Sequence, residues 1–540
     1  MSDFKHRVSF HPPGRGKLID GDKTLQEAAA ELGIGIESLC GGKQKCGKCK
    51  VVVEERMESL SPLEESEKEL LTDEEIDTGY RLSCMARILG PVSVFIPEES
   101  RASEMVILEG GKQIKIEPDT TEELYGMAFD IGTTTVVGYL TDLKSGRVIA
   151  IGSTMNPQVA FGEDVMTRIA YTTRHSNGLE KLHSSIVDAL NEIIKNAASR
   201  AKIKPADITK VTAVGNTAMH HIFLNIDPKS LGVSPFSPVV VEPVNVKAKE
   251  LGLGVGRDAR IHVLPNVAGF VGADNVGVLI ASEPCSKSGA TLTIDVGTNG
   301  EIVLCKNKRM MVASCATGPA LEGAHIKHGM RAKPGAIEHL KIDPKTRRVR
   351  YQVIGNVRPT GICGSGVIDA VAGLFKAGIL QKSGRFDQAK TDRLRKGRHG
   401  YEFVIASKKE TAIRGDIVIT QKDVSEVQLA KAALYAGAKI LMKRANVAKI
   451  DRIFLAGAFG SHIDPASAMA IGMFPKCPLK NIRAIGNAAG DGARIALINA
   501  GKRAEAEKIA RKIRYIELTV DPDFETEFVN AMHLPHRTEL

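Results

Sequence analysis

The chain has no tryptophan, and only 4% of its residues are aromatic. No run of apolar residues approaches the ~18–20 that a membrane-spanning helix needs. Each scarcity removes a class of function. With few aromatic stacking platforms and no nucleic-acid-binding motif, the net charge of +10 does not point to nucleic acid. It reads instead as a solvated basic surface suited to an acidic protein partner. The missing apolar run argues against a membrane protein, and Met-Ser-Asp-Phe-Lys-His-Arg at the N-terminus has no apolar segment behind it to act as a secretory signal. The expected compartment is therefore the reducing cytoplasm. A Walker GxxxxGK[ST] sequence and a GxGxxG after a suitable strand are also absent, which removes the P-loop and Rossmann classes. What remains is an ordinary globular composition, 43% hydrophobic and 25% charged. Its length suits roughly three or four domains.

Nine cysteines are present, and four of them form a group. Three fall within Cys40-Gly-Gly-Lys-Gln-Lys-Cys-Gly-Lys-Cys49, and Cys84 stands further on. A close loop of three thiolates plus one remote ligand is the ferredoxin arrangement for a [2Fe–2S] cluster, although the spacing here is C-x5-C-x2-C rather than the plant-type C-x4-C-x2-C. The glycines suit a loop that needs positive φ and close backbone approach, so that N–H groups can face the sulfurs. A zinc site is the weaker alternative, because there is one CxxC pair and no histidine between Cys40 and Cys84. Ordinary core thiols are weaker still, since these sit on a Gly/Lys loop. Cys40, Cys46, Cys49 and Cys84 are thus the expected metal ligands. Lys43, Lys45 and Lys48 are solvated loop residues that can also dock an acidic partner. The other five, Cys285, Cys305, Cys315, Cys363 and Cys477, are scattered singly and read as small core residues.

The periodicities divide the chain. Residues 1–97 read as a small α+β domain. Thr24-Leu-Gln-Glu27 is a capping box for a short helix, Lys50 to Val53 a strand, Ser61-Pro-Leu-Glu64 a second capping box, and Val92, Val94 and Ile96 a closing strand. Residues 98–125 are polar and turn-rich and read as a linker with one short strand at 114–116. An internal repeat follows. Ala128-Phe-Asp-Ile-Gly-Thr-Thr-Thr135 is echoed by Thr293-Ile-Asp-Val-Gly-Thr-Asn-Gly300, and each copy leads into two further apolar strands. Duplicated β-meanders imply two lobes, 126–290 and 291–520, with a polar, peripheral tail at 521–540. Lys210 to Gly215 and Arg452 to Gly457 read as buried strands ending in glycine, and Asp423 to Asn446 as a long helix.

An apolar strand that ends in Asp and turns tightly at Gly presents N–H groups and hydroxyls to phosphate oxygens, while the Asp can hold Mg²⁺ or its waters. One such turn is weak evidence. Two, at matching places in duplicated lobes, would face each other and clamp a nucleotide polyphosphate. Further glycine signals are Leu455-Ala-Gly-Ala-Phe-Gly460, Ile485-Gly-Asn-Ala-Ala-Gly490 and Gly361-Ile-Cys-Gly-Ser-Gly366. Each taken singly is as easily a tight strand-to-helix turn. His220, His221 and His325 are assigned no role, because lone histidines are more often scaffold than catalysts.

DIGTTT, IDVGTNGEI and LAGAFG resemble the phosphate-1, phosphate-2 and adenosine elements of the actin, Hsp70 and sugar-kinase (ASKHA) superfamily, whose two lobes are RNase H-like. With the N-terminal cysteine loop the whole layout is similar to the RACo-like family of ATP-dependent reductive activators of corrinoid proteins. Val214-Gly-Asn-Thr-Ala-Met-His220, Ala316 to Ala324, Gly329 to Ala336 and Gly457 to Pro465 extend the likeness. The resemblance implies a ferredoxin-like (β-grasp) domain followed by a duplicated α/β ATPase. It implies that Asp130 and Asp295 position Mg²⁺ and the attacking water. Gly132, Thr133, Thr134, Gly297, Thr298 and Asn299 would bind the phosphates of ATP, and Gly457, Ala458 and Gly460 would line the adenosine. Glu301 can orient water, or can be a structural strand-edge glutamate. The implied partners are a Co(II) corrinoid protein of a methyltransferase system and a low-potential electron donor. The implied assembly is a homodimer. Members that carry an extra middle domain before the first DxGTTT strand use it to dimerise, and here only the short linker stands there.

The implied reaction returns Co(II) to Co(I) with one electron. A plant-type cluster lies at roughly −400 mV, so the transfer runs uphill, and each ~59 mV of a one-electron gap is a factor of ten. ATP is the means of driving it. Two alternatives remain: a small-molecule kinase with a regulatory ferredoxin domain, and a plain electron carrier with an inert nucleotide fold. The activators of 2-hydroxyacyl-CoA dehydratases share the ATPase fold but lack an N-terminal ferredoxin domain, and fit poorly.

Overall fold

The computed structural model describes residues 4–37, 44, 46–97, 100, 117–120, 124–162, 164–297, 299–387, 391–398 and 400–538, and at 458 the backbone alone. Cys40, Thr298 and the strand expected at 114–116 lie outside the described residues. The chain divides into two compact units. One is Met1–Glu104 with Ala160–Glu163 and Ala324–Lys327, and the other is the remainder. Among the described residues no helix is long and apolar enough to cross a membrane.

The first unit is built on a five-stranded sheet in the order β2-β1-β5-β3-β4. The strands are β1 (Lys5–His11), β2 (Arg15–Asp20), β3 (Lys50–Glu55), β4 (Tyr80–Leu82) and β5 (Val92–Phe95). β1 and β5 run parallel, and the other neighbours are antiparallel. Val8, Phe10, Val51, Leu82, Val92 and Val94 alternate inward and are buried, as period-2 strands with one covered face require. Helix α1 (Leu25–Glu31) lays Leu25, Ala28 and Ala29 on this core, and its start is fixed by the capping box expected at Thr24 and Glu27.

The second expected capping box does not form. Residues 61–64 are extended, Ser61 Oγ accepts from Arg87 N–H, and the Ser61 carbonyl accepts from Arg81. The local signal lost to tertiary hydrogen bonds. The acidic segment makes two short helices instead, α2 (Glu65–Lys68) and α3 (Asp73–Asp77), the latter boxed by Thr72 and Glu75. α2 delivers Glu67 to a buried two-pronged pair with Arg81, whose Nε and Nη2 stand 3.0 and 2.9 Å from the carboxylate oxygens. Glu67 also accepts the backbone N–H of Leu82 at 2.6 Å. One carboxylate thus anchors β4.

The second unit repeats one topology. β6 (Tyr125–Ile131), β7 (Thr135–Asp142) and β8 (Val148–Met155) form an antiparallel meander. Helices α4 (Val165–Arg174) and α5 (Gly178–Ala201) follow, then β9 (Ile208–Gly215) returns parallel to β6. Helix α6 (Thr217–Phe223) and strands β10 (Val244–Lys247) and β11 (Arg260–Val263) complete a sheet in the order β10-β11-β9-β6-β7-β8. After helix α7 (Ala273–Ser282) the pattern recurs with β12 (Thr291–Val296), β13 (Gly300–Lys306) and β14 (Arg309–Cys315). Two small three-stranded sheets then interrupt it. One contains β15 (Ala336–Ile342), β16 (Val349–Val353) and β17 (Gly361–Ile362) and leads into helix α8 (Gly364–Lys376). The other contains β18 (Leu394–Gly397), β19 (Gly400–Ala406) and β20 (Ile417–Thr420) and leads into helix α9 (Gln421–Arg444). β21 (Arg452–Ala456) then pairs parallel with β12, as β9 does with β6. Short helices α10 (Gly457–Gly460) and α11 (Pro465–Ile471), strand β22 (Ile482–Gly486), helices α12 (Ala488–Ile498) and α13 (Ala500–Lys512) and strand β23 (Arg514–Tyr515) close the lobe.

The lobes exchange helices. α12, which follows β22 of the second lobe, receives the Thr212 hydroxyl of β9 on its Ala493 carbonyl. Leu279 of α7, which follows the first lobe, packs with Val303 and Val312 of the second. The two helices cross where a Cβ on Gly492 would stand 2.1 Å from the Gly277 carbonyl oxygen, so only glycine permits the approach. The C-terminal segment, expected to be a peripheral tail, is packed instead. Helix α14 (Phe524–Ala531) buries Ala531 against Ala432 and Tyr435 of α9. The buried Lys431 ammonium donates to the carbonyls of His533 and Pro535. A buried ammonium on α9 needs acceptors, and the backbone after α14 supplies them.

The Glu67–Arg81 pair yields a stability test. Glu67→Ala leaves a buried guanidinium uncompensated and is expected to cost about 3–5 kcal/mol. Unfolding of the first unit by urea should shift to lower concentration, and bound iron should fall because β4 carries the approach to Cys84. Unchanged iron content and midpoint would remove Glu67 as the anchor of β4.

Candidate nucleotide site and cluster loop

In the first unit, antiparallel register solves the problem of the remote cysteine. Lys50 pairs with Leu82, so the residues flanking this pair, Cys49 before β3 and Cys84 after β4, are brought together. Ser83 N–H donates to the Cys49 carbonyl at 2.8 Å, and the two sulfurs stand 3.2 Å apart, both buried. Cys46 lies three residues before, on a turn where Gly47 has φ +63°. Cys40, the remaining expected ligand, lies outside the described residues. Three thiol residues of one loop-and-strand framework, two of them in sulfur contact, fit a cluster held by thiolates.

In the second unit, Asp130 and Asp295 occupy equivalent positions, each the penultimate residue of the first strand of its meander. Two further equivalences hold the turns that follow. Asn156, just beyond β8, donates its Nδ2 to the Gly132 carbonyl at 2.8 Å. Thr317, just beyond β14, donates its hydroxyl to the Gly297 carbonyl at 2.9 Å. The parallel strand beside each Asp strand ends against the turn. After β9, Asn216 donates to the Thr133 hydroxyl at 2.8 Å. After β21, Gly457 sits at φ +85° with so little room that a Cβ would lie 2.6 Å from an Asp295 carboxylate oxygen. The glycine of the expected adenosine element is therefore set against the second Asp. The buried Arg168 guanidinium donates to the Thr133 carbonyl, a support with no sequence signal. Gly460 lies close under Leu455 at the other end of the same turn. Of Ala458 only the backbone, in α10, is described, and Thr298 lies outside the described residues.

The electrostatics bring four carboxylates together. β12 and β13 place Glu301 directly opposite Asp295. Asp274, at the start of α7, is close enough to Asp295, Glu301 and Asp130 to perturb them or be perturbed by them. All four keep intermediate surface exposure, yet desolvation is the largest cause of their shifts. Burial raises Asp130 to about 6. Burial and the neighbouring carboxylates raise Asp274 and Asp295 to about 7. Burial and then Asp274 and Asp295 push Glu301 well above its ordinary value. Glu301 is thus a member of the cluster and not an exposed strand-edge residue. Asn487, at the N-cap of α12, donates to the Tyr139 hydroxyl at 3.1 Å and bonds Asp130, so the IGNAAG turn of the second lobe reaches the Asp of the first.

Among the described residues no group of three or more His, Cys, Asp or Glu side chains is arranged to hold a metal ion by itself. Mg²⁺ does not need one, since it retains several waters and takes one or two carboxylates plus phosphate oxygens. A crowd of half-buried carboxylates that repel one another is the electrostatic setting a divalent cation relieves. Asp274 escaped sequence reasoning because no motif surrounds it. Its one signal is that it is the sole ionisable residue of the largely apolar segment Ala273–Ser282. His221 is scaffold, as lone histidines usually are: its Nδ1 faces the Thr217 carbonyl at 2.7 Å and its Nε2 accepts Val239 N–H at 3.0 Å.

Comparison with known proteins agrees with this geometry. Three family models match the chain: a 2Fe-2S iron-sulfur cluster binding domain over residues 11–89, the RACo middle region over 125–285, and the C-terminal domain of RACo, the ASKHA domain, over 289–540. The middle region coincides with the segment that carries the first DxGT turn. The expectation that a middle domain would precede that turn, and is missing here, is therefore corrected. The chain is 35% identical over 580 residues to the corrinoid activation enzyme RamQ of Eubacterium limosum, covering 95% of this chain and 97% of that one. It is 25% identical over 430 residues to a [Co(II) methylated amine-specific corrinoid protein] reductase of Methanosarcina barkeri, covering 72% of this chain and 73% of that one. Among solved structures, a reductive activator for corrinoid, iron-sulfur protein aligns over 98% of both chains with a TM-score of 0.71 and 32% identity. With a cluster-type first unit, duplicated DxGT lobes and near full-length similarity, the chain belongs to the RACo family of corrinoid reductive activators.

Proposed function

We propose that this chain is an ATP-dependent reductive activator that delivers one electron to the Co(II) form of a corrinoid protein and so regenerates Co(I). The observation that carries it is the presence, in one chain, of the Cys49–Cys84 framework and of the paired Asp130 and Asp295 turns, in a chain similar along its length to corrinoid activators. The setting we infer is the cytoplasm, and the electron donor a low-potential reductant.

The residues divide the work. Cys46, Cys49 and Cys84, with Cys40, hold the cluster, which when bound supplies a one-electron store. Gly132, Thr133 and Thr134 on one side, and Gly297 and Asn299 with Thr298 on the other, present N–H groups and hydroxyls to the phosphates of ATP. Asn156, Asn216, Arg168 and Thr317 keep those turns in shape by taking up their carbonyl and hydroxyl groups. Gly457 and Gly460 leave the backbone bare where adenosine would lie. Asp130 and Asp295 would hold Mg²⁺, which would supply charge to the phosphates. Glu301 and Asp274, whose affinity for protons is raised, are placed to accept a proton from an attacking water. ATP binding or hydrolysis at this site supplies the free energy for the uphill electron transfer by changing how the corrinoid partner is bound.

Two tests follow. With reductant and a Co(II) corrinoid protein, the Co(I) absorption band should grow only when ATP is added. Cys84→Ala should lose both the one-electron [2Fe–2S] EPR signal and Co(I) formation while still binding ATP. Co(I) formation independent of ATP would sink the proposal, and phosphate transfer to a hydroxyl compound that survives Cys46→Ser would point to a kinase.

The second test uses the raised carboxylates. Their contribution to stability is fully present below the unfolded value of 3.8 and is lost as pH rises through about 7, because the folded protein holds the protons more tightly. Asp295→Asn removes one repelling charge. It should raise the thermal midpoint of the ligand-free protein at pH 8 by roughly 2–4 °C for each kcal/mol of repulsion relieved, with a smaller gain at pH 5. ATP turnover should fall on the order of 10²-fold or more. A midpoint that drops equally at both pH values would show that Asp295 is not held in repulsion.

A further inference from the structure

Two of the cysteines that look isolated in the sequence meet in the fold. Cys285 lies in the loop after α7, Cys305 lies in β13, and the two are joined as a disulfide with Cα atoms 5.7 Å apart. That spacing falls in the middle of the range a disulfide accepts without backbone movement. Cys315, Cys363 and Cys477 remain single and buried.

The place of the pair in the lobe matters more than its existence. α7 starts with Asp274 and ends just before Cys285. β13 starts beside Asp295 with Glu301 and ends with Cys305 and Lys306. The sulfurs therefore tie the far ends of the two elements whose near ends carry carboxylates of the nucleotide site. The loop around Cys285 is itself fastened to the lobe, because Arg452 donates to the carbonyls of Lys287 and Ser288, and Asp451 accepts from Ala290 N–H. A bond from this loop to β13 fixes α7, a ten-residue helix about 15 Å long, at its C-terminal end. α7 also crosses α12 at Gly277 and Gly492, so movement between the lobes has to pass through it.

The exposure of the two sulfurs differs. Cys285 is partly exposed and Cys305 is 2% exposed, so exchange with a small disulfide starts at Cys285. The Cys285 thiolate attacks one sulfur of the small disulfide and expels one thiolate. The Cys305 thiolate then attacks the Cys285 sulfur and expels the second. Two protein thiols lose two protons and two electrons, and the small disulfide becomes two thiols. The direction of use follows from the first unit: plant-type clusters work at potentials below those of exchangeable dithiol–disulfide pairs, so the conditions that load the cluster also reduce such a bond.

We propose that Cys285 and Cys305 are a redox-active pair whose disulfide holds α7 and the nucleotide site in a slow state and whose dithiol releases them, so that ATP is turned over only where low-potential electrons are available. The proposal rests on the ATP turnover inferred above and adds its control. The test uses the full-length, cluster-loaded protein, treated with oxidised glutathione or with dithiothreitol. Bond formation is followed by alkylation and mass measurement of the two cysteine peptides, turnover by phosphate release, and mobility by hydrogen exchange over residues 273–306. Wild-type protein should turn over ATP about tenfold more slowly when oxidised, within the ordinary span of allosteric coupling, and recover with dithiothreitol. Exchange over 273–306 should slow in parallel. Cys285→Ser and Cys305→Ser should stay at the reduced rate under both conditions, and they also control for oxidation of the cluster, which both retain. The proposal is overturned if the bond forms and breaks while turnover and exchange stay constant, or if neither oxidised glutathione nor dithiothreitol changes its state. Fully reduced protein that releases no phosphate would instead count against the ATPase reading, and the exchange data would still decide whether the pair controls α7.

Discussion

The crowding of Asp130, Asp274, Asp295 and Glu301 is the constraint on which the nucleotide-site half of this molecule turns. Four carboxylates that would each ionise readily in water are held at strand ends and a helix start, where burial and mutual repulsion raise their proton affinity. A fold does not bear that repulsion without a use for it. The surrounding polar groups, Asn156, Asn216, Thr317 and Asn487, do not neutralise the carboxylates. They fix the turns beside them and leave the charge to be compensated by something that binds.

That arrangement is possible because the lobes are copies and because they exchange helices. Duplication places two Asp strands in the same register against the same kind of parallel neighbour. Exchange then carries α7 to the second lobe's core and α12 to the first lobe's sheet, so that Asp274 and Asn487 each serve an Asp encoded in the other half. The glycine-on-glycine crossing at 277 and 492 lets the helices approach closely enough for this. In the first unit the same economy appears in the β3–β4 register, where one residue pair, Lys50 with Leu82, brings two distant cysteines into sulfur contact.

The legible parts of the fold were those with a local cause. The Thr24 capping box, the strands that carry the two DxGT turns and the long helix α9 follow from short-range pattern, and α9 starts and ends two residues before its expected bounds. Where a tertiary partner competed, the local pattern lost. Ser61 carries a capping-box sequence but spends its hydroxyl and carbonyl on Arg87 and Arg81, and the helix starts later. Residues after 520 are polar enough to look peripheral, yet the buried Lys431 needs acceptors and the segment packs to provide them. Asp274 had no motif to mark it, and Glu301 could be read as a structural strand-edge residue because its carboxylate neighbours come from two other segments of chain.

By itself the sequence determined the parts: a thiolate loop, two DxGT turns in duplicated strands, and a glycine-rich element after a buried strand. These are encoded in contiguous residues, because tight turns and ligand loops depend on backbone conformations that nearby glycines and capping residues set. Only the tertiary structure decided which carboxylates share one field, which helix belongs to which lobe, and that Cys285 and Cys305 meet. Those facts depend on distances between segments far apart in the chain, where burial and Coulomb repulsion act through space and leave no trace in local pattern.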